Sequence, residues 1–154
     1  QQLRTHLFKK LIKKEQKIIN KKEIFSLIDA VIVSLIDQKF LSDEYYSDSK
    51  SKIFYRRGYS LNKIRYNLIK KGIDQKYIKA SISKIKENES DPDFFSAIKM
   101  CKRRRIGPNR EESNRSLFYK KDISILARSG FSYEVSKKVL DLPKTEFIKF
   151  CKMI

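Results

Sequence analysis

The chain has 154 residues, with 36 Lys and Arg against 18 Asp and Glu, a formal charge of +18 at pH 7. Hydrophobic residues make up 40%, enough for a core, which argues against disorder; four glycines and three prolines are too few for a turn-rich β fold. An excess of cations this large points to an anionic partner, whether nucleic acid, an anionic membrane or an acidic protein surface.

In chain order, Leu3, Leu7, Leu11 and Ile12 recur at helical spacing and predict a helix over 3–19. Residues 23–38 are apolar almost all round, which predicts a central helix covered by neighbours. Its most apolar part, 24–36, has 13 residues and contains Asp29, whereas a membrane span needs about 20. FLSDEYY (40–46) starts the next helix, with Ser42 as N-cap and a stop at Gly58. Ser60 caps a helix whose stripe is Leu61, Ile64, Leu68 and Ile69; Gly72 ends it and Asp74 caps the following one.

NESDP (88–92) reads as a linker, and Asp91–Pro92 opens a helix with Phe94, Phe95, Ile98 and Cys101 inward. KRRRIGPNREESNRS (102–116) reads as an exposed, mobile loop. A helix over 117–128 places Phe118, Ile123, Leu126 and Ala127 inward. After Gly130, Ser132 caps a helix to Leu142, Pro143 stops it, and 144–154 forms a last amphipathic turn or two.

Catalytic signatures are missing. There is no phosphate-cradling glycine loop, no dinucleotide fingerprint and no metal-ligand spacing, so neither an enzyme nor a cofactor is expected. His6 is the single histidine and reads as a surface helix residue; Cys101 has no histidine near it in the sequence. Two cysteines make no disulfide framework and fit a reducing cytoplasm. No secretory signal is legible, and because the sequence opens at Gln1 rather than methionine, residues ahead of it are expected.

An internal repeat organises the chain. LIKKGIDQKYIKASI (68–82) aligns without gaps to LARSGFSYEVSKKVL (126–140), matching Leu68 with Leu126, Gly72 with Gly130 and Asp74 with Ser132. Such self-similarity predicts stacked helical units at 1–42, 43–88 and 91–142, with a tail at 143–154. The charge follows the same period. Residues 1–22 carry eight basic and one acidic side chains, 50–71 carry eight and none, and 99–121 carry nine and two. Cations recurring once per unit can form a stripe, which suits a polyanion better than a small ligand.

RRGYSLNKIRYNLIKKGID (56–74) resembles the signature of the RecX family of recombination regulators, with Arg57, Gly58, Tyr59, Lys63, Ile64, Leu68, Lys71, Gly72 and Ile73 at the corresponding places. FLSDEYY and ILARSGFSYEVSKKVL are similar to the family's first junction and third repeat, so the resemblance spans residues 3–142. Ser60–Leu61 stands where the family has Gly-Pro, and KKEQKIINKK (13–22) replaces its first Lys-Gly-Phe turn. The resemblance implies an all-α fold of tandem three-helix, helix-turn-helix-like repeats in an elongated, curved array. It implies a cytoplasmic modulator of RecA, without chemistry of its own, that binds the groove of the RecA–DNA filament. Such a protein suppresses ATP hydrolysis and strand exchange, and so bears on homologous recombination, DNA repair and the SOS response.

On this reading Arg56, Arg57, Lys63, Arg65, Lys70, Lys71, Lys102, Arg103, Arg104, Arg105 and Arg110 face the filament, meeting RecA acids, single- or double-stranded DNA phosphates, or both. Tyr55 and Tyr66 are candidate stacking contacts. The protein is expected to be a monomer. The alternative is a stand-alone helix-turn-helix DNA-binding protein, reading base edges from Asn62, Arg65 and Asn67.

Overall fold

A computed structural model of the chain describes residues 2–14, 20–38 and 41–154. The central part of KKEQKIINKK, the end of the helix expected over 3–19 and the first residue of FLSDEYY lie outside the described residues. Among the described residues there are nine α-helices, one 3-10 turn and no strand, so the chain is all-α. The helices are α1 (Gln2–Lys14), α2 (Lys21–Asp37), α3 (Asp43–Arg56), α4 (Leu61–Lys70), α5 (Gln75–Asn88), α6 (Pro92–Arg104), α7 (Glu112–Arg128), α8 (Tyr133–Leu140) and α9 (Lys144–Met153); the 3-10 turn is Gly107–Asn109.

Short polar side chains start these helices. Ser42, Ser60, Asp74, Asp91 and Ser132 each accept a hydrogen bond from a first-turn backbone N–H, meeting donors that the helix itself cannot satisfy. The ends of α4 and α7 close in the same way. Ile73 N–H donates to the Leu68 carbonyl and Phe131 N–H to the Leu126 carbonyl, each at 3.2 Å. In both turns the apolar residue after the glycine is buried, a Schellman-type stop.

Two apolar clusters form. In the first, Leu61, Ile64 and Leu68 of α4 and Ile78, Ile82 and Ile85 of α5 meet beneath Tyr46, Phe54 and Tyr55 of α3. In the second, Phe94, Ile98, Met100 and Cys101 of α6 pack with Leu126, Phe131, Val139, Leu140 and Phe147. Full burial of such side chains contributes roughly 1.5–3 kcal/mol each. Tyr59 packs against both clusters and its ring stacks on Phe54 at 5.4 Å.

The two clusters are clamped at α4. Leu61 N–H donates to Asp93 Oδ1 at 2.8 Å, and the Ser60 hydroxyl donates to the Ser129 carbonyl at 2.8 Å. Gly58, at φ 74°, lies so close to α6 that a Cβ there would fall 2.9 Å from the Ser96 carbonyl oxygen. Gly130, at φ 86°, packs on α4, where a Cβ would fall 2.5 Å from Ser60 Oγ.

Three expectations are corrected. Helix α2 is not covered on all sides: it packs on α1 through Phe8 stacked on Phe25 and Arg4 paired with Asp29, burying Ile24 and Ile28. Leu27, Val31, Val33 and Ile36 stay exposed, because among the described residues α1 is the helix packed on α2, and it covers one stripe of a uniformly apolar helix.

The segment 102–116 is no exposed loop. Helix α6 runs to Arg104, Ile106, Gly107 and Pro108 are buried, and α7 already begins at Glu112. Asp122, 1% exposed, organises this turn: it accepts from Gly107 N–H at 2.8 Å and pairs with Arg110 through two hydrogen bonds of 2.7 and 2.8 Å. The polar composition concealed an apolar plug, Ile106 and Pro108.

Ile69 and Ala127 are exposed rather than inward. Each follows a fully buried leucine, and one residue on, a helix has turned by about 100°.

Candidate anion-binding site

The sequence-predicted cations differ in their surroundings and exposure. Arg110 is held by the Asp122 carboxylate, which also keeps its guanidinium protonated beyond the usual arginine range; it lies 4.5 Å over the Phe118 ring. Lys102 Nζ donates to the Cys151 carbonyl at 3.0 Å, tying α9 to α6. Arg103 contacts Met100 Sδ at 3.3 Å and Arg65 bonds Asn62 at 3.3 Å. Arg57, Lys70, Lys71 and Arg105 are exposed. Arg105 ends α6 in the left-handed conformation at φ 54°.

Arg56 lines a groove between α3 and α5 together with Lys52 and Lys84, but Asp48 and Glu89 line it too, so its charge is mixed. Tyr55 belongs to the same groove. Its hydroxyl donates to Glu89 at 3.2 Å and Lys99 Nζ sits 4.4 Å over its ring. Burial first, and the Glu89 carboxylate second, push the Tyr55 phenol well above its ordinary range, and burial draws Lys99 down. Tyr66, by contrast, is exposed on α4 beside Lys63.

A second cleft differs in charge. It has a volume of about 400 Å³ and lies where α4, α6 and α7 meet, with Lys63, Arg104 and Arg128 around it and Tyr59, Met100 and Ile125 forming its apolar wall. No carboxylate is among its lining residues. Lys63 stands in the first turn of α4, where the helix dipole disfavours a cation, so dipole compensation does not account for it. Arg104 and Arg128 end their helices, where the dipole favours them. The hydrogen bond between Ser60 and Ser129 holds the start of α4 against the end of α7, the two helices that carry Lys63 and Arg128.

Sequence reasoning singled out Lys63 and Arg104 but missed Arg128. The signal was present: the offset that aligns Gly72 with Gly130 sets Arg128 opposite Lys70.

Among the described residues, no group of three or more His, Cys, Asp or Glu could hold a metal ion, and no helix is long and apolar enough to cross a membrane. Cys101 is buried, and burial pushes its thiol up to about 12, far from a nucleophile at neutral pH.

Fold and site together define an all-helical protein with an uncompensated basic cleft and no assembled catalytic group among the described residues. In comparison with curated proteins, the chain is a distant homologue of the regulatory protein RecX of Myxococcus xanthus, 28% identical over 120 residues, which is 77% of this chain and 63% of that protein. This homology supports the RecX resemblance of residues 56–74. The chain thus matches somewhat less than two thirds of its relative's length. No family model matches it. No solved structure matches it either.

Proposed function

We propose that this chain is a regulator of RecA. It binds in the groove of the RecA–DNA filament and restrains ATP hydrolysis, strand exchange and coprotease activity, with no catalysis of its own. The observation that carries this reading is the homology to a protein named for regulation and for RecX.

The matching turns at Leu68–Ile73 and Leu126–Phe131 support tandem three-helix units over 43–88 and 91–142, preceded by one over 1–42 and followed by the tail. Units that lean on their neighbours can follow a curved groove. Weak, screened contacts from Arg56, Arg57, Arg65, Lys70, Lys71 and the α6 terminus, spread over several filament subunits, add through effective concentration.

The test is RecA's DNA-dependent ATPase, titrated with the chain and with the Arg56→Glu/Arg57→Glu/Arg65→Glu variant. Inhibition by the native chain that weakens in the variant supports the contact surface. Equal inhibition by both removes these three arginines from it.

A further inference from the structure

We infer that the open apolar face of the α1–α2 hairpin is a self-association surface: a second copy of this chain covers it, with the two α2 helices antiparallel and the two hairpins forming a four-helix bundle. The inference goes beyond the filament reading, does not depend on it, and departs from the monomer expected from the sequence.

Arg4 pairs with Asp29 and Phe8 stacks on Phe25, so α1 and α2 run antiparallel. Among the described residues these two helices pack chiefly on each other, and neither has α3–α9 as a substantial neighbour. The residues that α2 buries are Ile24 and Ile28. A unit below about 40 residues ordinarily needs a disulfide, a metal or a partner subunit to hold a core. Both cysteines belong to α6 and α9, and no metal-holding group of His, Cys, Asp or Glu forms among the described residues, which leaves a partner. Leu27 is 69% exposed, and Val31, Val33 and Ile36 are each more than half exposed. Leu27, Ala30 and Ser34 recur at i, i+3 and i+7, the spacing of a seam on which another helix lies.

Charge says which partner. Residues 23–38 hold no Lys or Arg, the longest such stretch in a chain of net charge +18. Two copies meet here with the least repulsion, whereas an anionic polymer finds no cation on this stretch. The ends are self-complementary. Lys21 and Lys22 begin α2 and Asp37 ends it. The register of Arg4 on Asp29 and Phe8 on Phe25 brings Lys13 to the starting end as well, where the three lysines outweigh Glu23. Antiparallel α2 helices set each Asp37, with the negative pole of its helix, against the lysine-bearing end of the other copy; a parallel pair would set like against like.

The size is also sufficient. Helix α2 has 17 residues and is about 25 Å long. Two helices, each about 10 Å wide, offer on the order of 500 Å² in projection. Interdigitating side chains raise the accessible area buried towards the roughly 800 Å² per partner of a specific interface. Repulsion between the two basic chains opposes the contact, and salt screens that repulsion while leaving apolar burial intact. Self-association should therefore tighten with salt, opposite in sign to a contact with a polyanion.

The test is sedimentation equilibrium of the full chain, from about 1 to about 300 µM, at about 0.1 and about 0.5 M salt. The expected result is a monomer–dimer equilibrium with a Kd on the order of 10 µM, tighter by about three-fold or more at the higher salt. Leu27→Glu/Val31→Glu should weaken it by at least about ten-fold. Leu117→Glu/Tyr133→Glu, which places the same charges on exposed apolar residues of α7 and α8, should leave it unchanged. Crosslinking reads the contact without adding charge to the face. Under mild oxidation Ala30→Cys should give a reducible dimer above the level of the native chain. Ser26→Cys should not, because an antiparallel pair centred near Ala30 sets Ser26 opposite Ser34 of the other copy.

A monomer at every concentration and both salts overturns the proposal, as does a dimer that Leu27→Glu/Val31→Glu leaves unchanged. Equal crosslinking of Ser26→Cys and Ala30→Cys overturns the antiparallel seam. A monomeric chain that pellets with phosphatidylglycerol vesicles, and loses that property in Leu27→Glu/Val31→Glu, overturns it by assigning the face to a lipid surface.

Discussion

The hydroxyl of Ser60 donates to the carbonyl oxygen of Ser129 at 2.8 Å while accepting from Lys63 N–H at 3.1 Å. One buried oxygen thus caps α4 and ties it to the end of α7. Ser132 caps α8 in the same way but is exposed. Loss of a cap costs about 1 kcal/mol, so Ser132→Ala should lower stability by about that. Ser60→Ala should cost roughly 1 kcal/mol more, through the hydrogen bond lost at Ser129. Urea denaturation of the two variants checks the difference.

The glycines separate conformational from steric cost. Gly72 has φ 79° with nothing within 4 Å of where an added Cβ would stand, whereas Gly58 and Gly130 are pressed against the neighbouring helices. Gly72→Ala should cost about 1–2 kcal/mol, the strain of a left-handed residue. Gly58→Ala and Gly130→Ala should each add about 1–3 kcal/mol of overpacking. Midpoints of chemical denaturation that rank Gly72→Ala with the other two would refute the close approach.

Asp122 is the least exposed charged side chain among the ion pairs of the described residues, and its loss would strand both the Arg110 guanidinium and the Gly107 N–H. Asp122→Ala should therefore destabilise by about 3–5 kcal/mol. Asp122→Asn keeps an acceptor for Gly107 and should cost less. Hydrogen exchange at Gly107 reports the local opening directly.

How much of this was legible in the sequence can be judged element by element. The caps at Ser42, Ser60, Asp74 and Ser132 and the stops at Gly58, Gly72 and Gly130 follow from local backbone chemistry, and all lie where that chemistry places them. The order around Asp122 was not legible, because a carboxylate that organises a turn fifteen residues earlier leaves no local pattern. Nor was the exposure of Leu27 and Val31, since periodicity says which face is apolar and not how many partners arrive. At the candidate site, composition gave the sign of the charge. Only the packing of α4, α6 and α7 distinguishes Lys63 and Arg104, which line a common cleft, from Arg110, which is held internally.

Asp93 gives a pH dependence. Burial raises its carboxyl above the ordinary carboxylate range, although the Leu61 N–H bond opposes the shift. The folded state therefore takes up this proton more readily than the unfolded state does. Its contribution favours folding at low pH and is lost as pH rises through the folded value. Asp93→Asn keeps the acceptor and removes the desolvated charge. Relative to the native chain, it should be at its most stable near neutral pH, with the difference shrinking on acidification towards the ordinary carboxylate range. Asp93→Ala should lose about 1–3 kcal/mol by leaving the Leu61 N–H unpaired. Thermal melts across pH check both, and a difference that grows on acidification would contradict the assignment.

The most direct measurement of the central claim is ATP hydrolysis by preformed RecA filaments on single-stranded DNA, titrated with this chain. The account predicts a dose-dependent fall in hydrolysis, and a shift of about ten-fold to higher concentration, worth about 1.4 kcal/mol, for Lys63→Glu/Arg104→Glu/Arg128→Glu. Hydrolysis that stays constant at every ratio of chain to RecA would contradict it.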